Sequence, residues 1–190
     1  MWTALGVLLL SGGAAEAHTF GVHGAGLVQG FGHPFGGLDH LLAMVAVGLW
    51  AAQQGGRALW LVPAAFMTSM VAGGGLGLAG APLPMVELGI AASLMVLGAV
   101  VALSFRPPVW VGMALVGLFA LFHGHAHGAE MPEAAFPVLY AAGFVAATGL
   151  LHAVGVAACL GLGRSRTVAR VAVRSAGAAV AATGVLIAIL

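Results

Sequence analysis

Residues 106–130 read RPPVWVGMALVGLFALFHGHAHGAE. A single arginine and two prolines open this stretch, an unbroken apolar run follows, and three histidines and a glutamate close it. The run from Val109 to Phe122 carries no charge, and with the residues beyond it approaches the ~20 that a helix needs to cross a ~30 Å hydrocarbon core. If the helix continues past Phe122, His123 and His127 stand at i and i+4, the spacing at which two imidazoles on one helix face can hold one ion. His125 then points away from that pair, and Glu130 follows on a similar face. The stretch is polarised, with a guanidinium at one end and imidazoles with a carboxylate at the other.

The same polarity recurs along the chain. Of 190 residues, 62% are hydrophobic and 6% are charged, against roughly 25% charged in an ordinary soluble domain. The net charge is +1, which excludes a disordered tail and a nucleic-acid binder. Apolar stretches run from about Leu38 to Ala52 (beginning near Pro34), Ala58–Ala79, Met85–Phe105, Val109–Phe122, Ala134–Leu160 and Val168–Leu190. A closed barrel needs alternating ten-residue segments, which are absent. The predicted fold is therefore all-α: a polytopic membrane protein of six transmembrane helices in one domain, residues 18–190. The preceding 17 residues read as a cleavable signal peptide, with a short apolar run Leu5–Leu10 and a small-x-small site Ala15-Glu16-Ala17.

The arginines orient these helices. Arg57 lies between the first and second, Arg106 between the third and fourth, Arg164, Arg166 and Arg170 between the fifth and sixth, and Arg174 a turn further. All six fall on one side, expected to be cytoplasmic, which makes the mature N-terminus and the C-terminus external. The external side then collects Asp39, Glu87, Glu130, Glu133 and seven of the eight histidines: His18, His23, His33, His40, His123, His125 and His127. Only His152 lies deep in a helix. Histidine outnumbers every charged residue type in the chain, and its sorting to one face is the main functional signal.

Two stretches carry that signal. In His33-Pro34-Phe35-Gly36-Gly37-Leu38-Asp39-His40, Asp39 and His40 project about 100° apart on a helix and can both line a wide cavity; equally, Asp39 can cap the helix with His40 as its partner. Met44 lies a turn below His40 as a soft neighbour. The second stretch is His123 to Glu130. Glu87, after Pro82 and Pro84, gains from a helix N-terminus or serves an ion path. His152 reads first as a hydrogen-bonded core residue. The Phe66–Met70 segment can line a path but reads first as packing, as do Gly73 with Gly77 and Gly177 with Ala181. Imidazole with carboxylate and no thiolate suits a borderline divalent ion such as Ni²⁺, Co²⁺ or Zn²⁺, and is too rich in nitrogen for a Mg²⁺ or Ca²⁺ cage. The sole cysteine, Cys159, permits no internal disulfide and no cysteine-based metal site.

His33-Pro34 through Gly37-Leu38-Asp39-His40, continuing into Met44-Val45-Ala46-Val47-Gly48, resembles the first-helix signature of the HupE/UreJ family of nickel permeases. Phe122-His123-Gly124 through Ala126-His127-Gly128 and Glu130 resembles that family's second histidine motif. The resemblance implies nickel import across the bacterial inner membrane, associated with hydrogenase or urease maturation. It implies His33, Asp39, His40, His127 and Glu130 as the functional set, with His123 and Glu87 beside them and His125 as an addition. Because the His33–Asp39 spacing is one residue longer than in the separate nickel/cobalt transporter family, that family's ligand geometry does not carry over. The expected activity is facilitated diffusion of Ni²⁺ as substrate (Co²⁺ or Zn²⁺ in its place), without a tightly bound cofactor, ATP or nucleic acid. The expected surroundings are the lipid bilayer. The rival reading is an intramembrane zinc-dependent hydrolase with His123, His127 and Asp39 or Glu130 on the metal.

Overall fold

The computed structural model describes residues 25–131, 136–161 and 166–190. The signal-peptide reading, His18, His23, Glu133 and Arg164 lie outside these residues. Among the described residues the fold is all-helical: α1 (Ala25–Gly32), a 3-10 turn (His33–Phe35), α2 (Leu38–Gln54), α3 (Ala58–Leu78), α4 (Val86–Leu103), α5 (Val109–Ala129), α6 (Pro137–Gly161) and α7 (Arg166–Ile189).

Breaks fall where the backbone requires them. Gly55 and Gly56, at φ 72° and 54°, turn α2 into α3 in a region costly for residues with a Cβ. Pro107 and Pro108 precede α5, and Pro137 opens α6, positions where the missing N–H costs no helical bond. The helices α3 to α7 are each long and apolar enough to cross a membrane. The first predicted span differs from the expected single helix. Here α2 has 17 residues, and the α1 segment with its 3-10 turn meets it at 81°. Five helices are candidate crossings, and six if this bent pair counts as one span. The protein is a multi-pass membrane protein.

Lipid offers no hydrophobic drive for helices to associate, so close backbone approach has to hold them together. Gly73 and Gly77 of α3 face Gly124 and Gly128 of α5. A Cβ on any of the four would run into backbone of the opposite helix: Leu121, His125, Met70 and Gly74 respectively. The pair α4 and α7 closes in the same way through Gly98 against Gly177 and Ala181, so both small-residue steps read from the sequence are helix contacts. Gly48 against Gly155 seats α2 on α6, and Gly30 with Gly143 seats α1 there as well.

One end of the bundle is tied by side chains reaching backbone carbonyls of α4 and the residues just after it. Trp50 Nε1–H donates to Phe105 at 2.8 Å, Gln53 Nε2–H to Val101 at 3.0 Å and Arg174 Nε–H to Ala102 at 2.6 Å. The end of α2, the end of α4 and the start of α7 therefore share the arginine-bearing side. Trp60 and Trp110, at the starts of α3 and α5, are exposed on that side, as aromatic residues at a membrane interface are. The histidines of α2 and α5 lie at the opposite end.

Candidate metal site

Five polar side chains are buried among the described residues: Ser93, His123, His127, Thr148 and His152. Three are histidines, and two of those belong to the motif at the end of α5. The helix does continue, through Ala129, so His123 and His127 present one face, turned into the bundle. His125, on the other face, donates from Nε2 to the Ala81 carbonyl at 2.7 Å, bracing the loop after α3 outside the cluster.

The start of α2 delivers its residues to the same place. Gly36 and Gly37 break the chain between the 3-10 turn and α2, with Gly37 in an extended conformation. The break lets His33 and His40 approach from two directions. Asp39 Oδ1 accepts two hydrogen bonds from His40, one from the backbone N–H and one from Nδ1, each at 2.8 Å. An ionised carboxylate can only accept, so Nδ1 carries a proton, and in the neutral ring Nε2 is the nitrogen with the free lone pair. That Nε2 is buried without a hydrogen-bond partner. The carboxylate thus orients the ring and fixes which nitrogen is free, as carboxylates behind metal-binding histidines do.

A serine does the same for His123. The Ser93 hydroxyl donates to the Ile90 carbonyl at 2.6 Å and lies 2.8 Å from His123 Nε2. With the serine proton committed to Ile90, Nε2–H donates to Ser93 and Nδ1 is left unprotonated, buried and unpartnered. In His127 neither ring nitrogen has a hydrogen-bond partner among the described residues. Its ring packs on Phe144 at a centroid distance of 4.2 Å.

These imidazoles form a continuous row. Ring centroids are 4.7 Å apart for His33 and His127, 4.1 Å for His127 and His40, and 4.8 Å for His40 and His123. The row descends from the surface, where the Glu130 side chain is 63% exposed and that of His33 31%, to His123, which is fully buried. His33 Nε2 stands 4.0 Å from Glu130 Oε2. One donor atom each from His33, His127 and Glu130 lie within 4.8 Å of one another. Donors bound at about 2.1 Å to one ion are at most about 4.2 Å apart, so sub-ångström movements would bring these three onto a common ion.

Of the seven residues singled out in the sequence, His33, Asp39, His40, His123, His127 and Glu130 come together. Glu87 does not: it is exposed in the first turn of α4, without a hydrogen bond or ion pair to the described residues. Ser93 was not singled out, and Phe66 and Phe144 enter as ring contacts of the histidines. The only signal for Ser93 was its hydroxyl in an otherwise apolar helix, and such a group often bonds only its own backbone.

Comparison with known proteins gives an independent result. The family model described as HupE / UreJ protein matches residues 6–187. Protein HupE of Rhizobium leguminosarum bv. viciae is 48% identical over 171 residues, covering 90% of this chain and 87% of the relative. No solved structure matches the chain.

Proposed function

The chain belongs to the HupE/UreJ family, and on that premise we propose that it is a permease for a divalent first-row transition ion, Ni²⁺ foremost, carrying it from periplasm to cytoplasm across the inner membrane. The observation that carries this reading is the row of imidazoles at the end of the bundle away from the arginines, with buried nitrogens that have no partner among the described residues. Buried polar atoms are ordinarily hydrogen-bonded, and unpartnered nitrogens of neutral imidazoles in a spanning bundle are ligands in waiting.

Glu130 and His33 meet the hydrated ion at the surface and begin to replace its waters. His127 shares the ion with them and passes it towards His40 and His123, whose free nitrogens are held ready by Asp39 and Ser93. Several adjacent, incomplete sites suit conduction better than one closed cage, because an ion must leave each site as readily as it arrives. Glu87 acts at a distance, by adding negative charge to the outer face. Net movement follows the ion gradient and membrane potential, and the intramembrane zinc hydrolase is not favoured by the family.

The test is influx into liposomes that contain only this chain, read by a trapped Ni²⁺-sensitive dye with Co²⁺ and Zn²⁺ as competitors. Saturable influx that Co²⁺ inhibits supports the reading; impermeable vesicles overturn it.

A further inference from the structure

His152 is the third buried imidazole among the described residues, separate from the outer row. It is 2% exposed, and neither ring nitrogen has a hydrogen-bond partner among the described residues. A Cβ on Gly48 of α2 would meet the His152 carbonyl, so this residue lies level with Gly48. That is eight residues further along α2 than His40, about 12 Å deeper by helical rise. An apolar membrane interior penalises such a group unless it has a partner or a task.

One turn of α3, from Phe66 to Met70, meets one turn of α6, from Thr148 to His152. Thr148, one turn before His152 and fully buried, donates its hydroxyl to Met70 Sδ at 3.7 Å. Phe66, one turn before Met70, meets His152 edge-on with centroids 5.2 Å apart and contacts His123 at 6.0 Å. Among the described residues, His123 and His152 share no ring contact, and Phe66 touches both. The Phe66 ring is fully buried. Rotation about its side-chain torsions is the local movement that would connect the two imidazoles.

We infer that His152, with Thr148 one turn before it and the Met70 thioether bonded to that hydroxyl, is a second and deeper station for the transported transition ion, reached from the outer histidines past Phe66. A neutral imidazole with a thioether and a hydroxyl is a borderline-to-soft donor set suited to Ni²⁺, Co²⁺ or Zn²⁺. The set has no carboxylate, so it holds the ion weakly and lets it go towards the arginine-bearing side. The inference rests on the permease reading and adds an inner site to it.

The full-length chain is reconstituted in phosphatidylethanolamine/phosphatidylglycerol vesicles for Ni²⁺ influx, and Ni²⁺ binding is measured on the detergent-solubilised protein by calorimetry. His152→Phe keeps a ring against Phe66 and removes both nitrogens; His152→Met restores a donor atom. His152→Phe is expected to bind Ni²⁺ at the outer row with unchanged affinity but to carry it more slowly by about tenfold or more, with His152→Met recovering part of the influx. Undiminished influx through His152→Phe, beside active wild-type protein, overturns the inner station and leaves the permease reading standing. Equal loss of binding and influx in both variants assigns His152 to structure and overturns it as well. Wild-type vesicles without influx overturn the permease reading, and the inner station with it.

Discussion

Asp39 and His40 are chain neighbours whose side chains leave the helix in different directions, yet one carboxylate oxygen collects both the backbone and the imidazole N–H of His40. The capping role and the site role considered for Asp39 are therefore the same interaction: it fastens the first turn of α2 and presents His40 Nε2 to the cluster. Asp39→Asn retains the shape but replaces the ionised acceptor. It should weaken Ni²⁺ binding about 10–100-fold, the usual effect of losing a partner behind a metal-binding histidine, as calorimetry on the purified protein would register. His125→Ala is the contrast. Its imidazole serves the Ala81 carbonyl outside the row, so Ni²⁺ influx should stay at the wild-type rate, and a collapse of influx would place His125 on the ion path. The i, i+4 relation of His123 and His127 was legible from spacing alone. Ser93 was not, because its pairing with His123 joins helices 30 residues apart in sequence.

At the scale of elements, helix ends and glycine contacts decide where these residues stand. Gly37 has an ordinary extended backbone, so its importance is spatial: a Cβ there would lie 2.7 Å from Asp39 Oδ1 and 3.1 Å from His40 Nδ1. Gly37→Ala should therefore push the pair apart and slow uptake, while membrane-extracted protein remains monodisperse by size-exclusion chromatography. Gly124→Val tests a different contact. Its side chain would collide with Met70 backbone of α3, and overpacking of this kind costs about 1–3 kcal/mol, which thermal unfolding in detergent should show as a lowered midpoint. The glycine steps in α3 and α7 were readable from their small-xxx-small spacing. The α1 helix was not read as an element. Its sequence AGLVQGFG is rich in glycine, a poor helix former on its own, and it is seated by contact with α6 through Gly30 and Gly143.

Across the whole molecule, scarce charge is separated by end. Arg174 contacts the end of α4 through the Ala102 carbonyl, while Asp39 and Glu130 lie with the histidines at the other end. If the arginines face the cytoplasm, Glu130→Cys in a Cys159→Ala background should react with an impermeant maleimide added to intact spheroplasts, and Gly56→Cys should react only after permeabilisation. The reverse pattern would invert the proposed direction of entry. Composition, the placement of six arginines and the spacing within each motif determined by themselves that this chain is an all-helical membrane protein with its imidazoles and carboxylates sorted to one end, because lipid imposes these patterns locally along the sequence. Only the tertiary structure decided that the α2 and α5 motifs form one row, that Glu87 stands outside it, and that His152 lies deeper beside Phe66. Those relations depend on which helices touch and at what height, and in lipid that is set by close-packed glycine contacts between segments far apart in the chain.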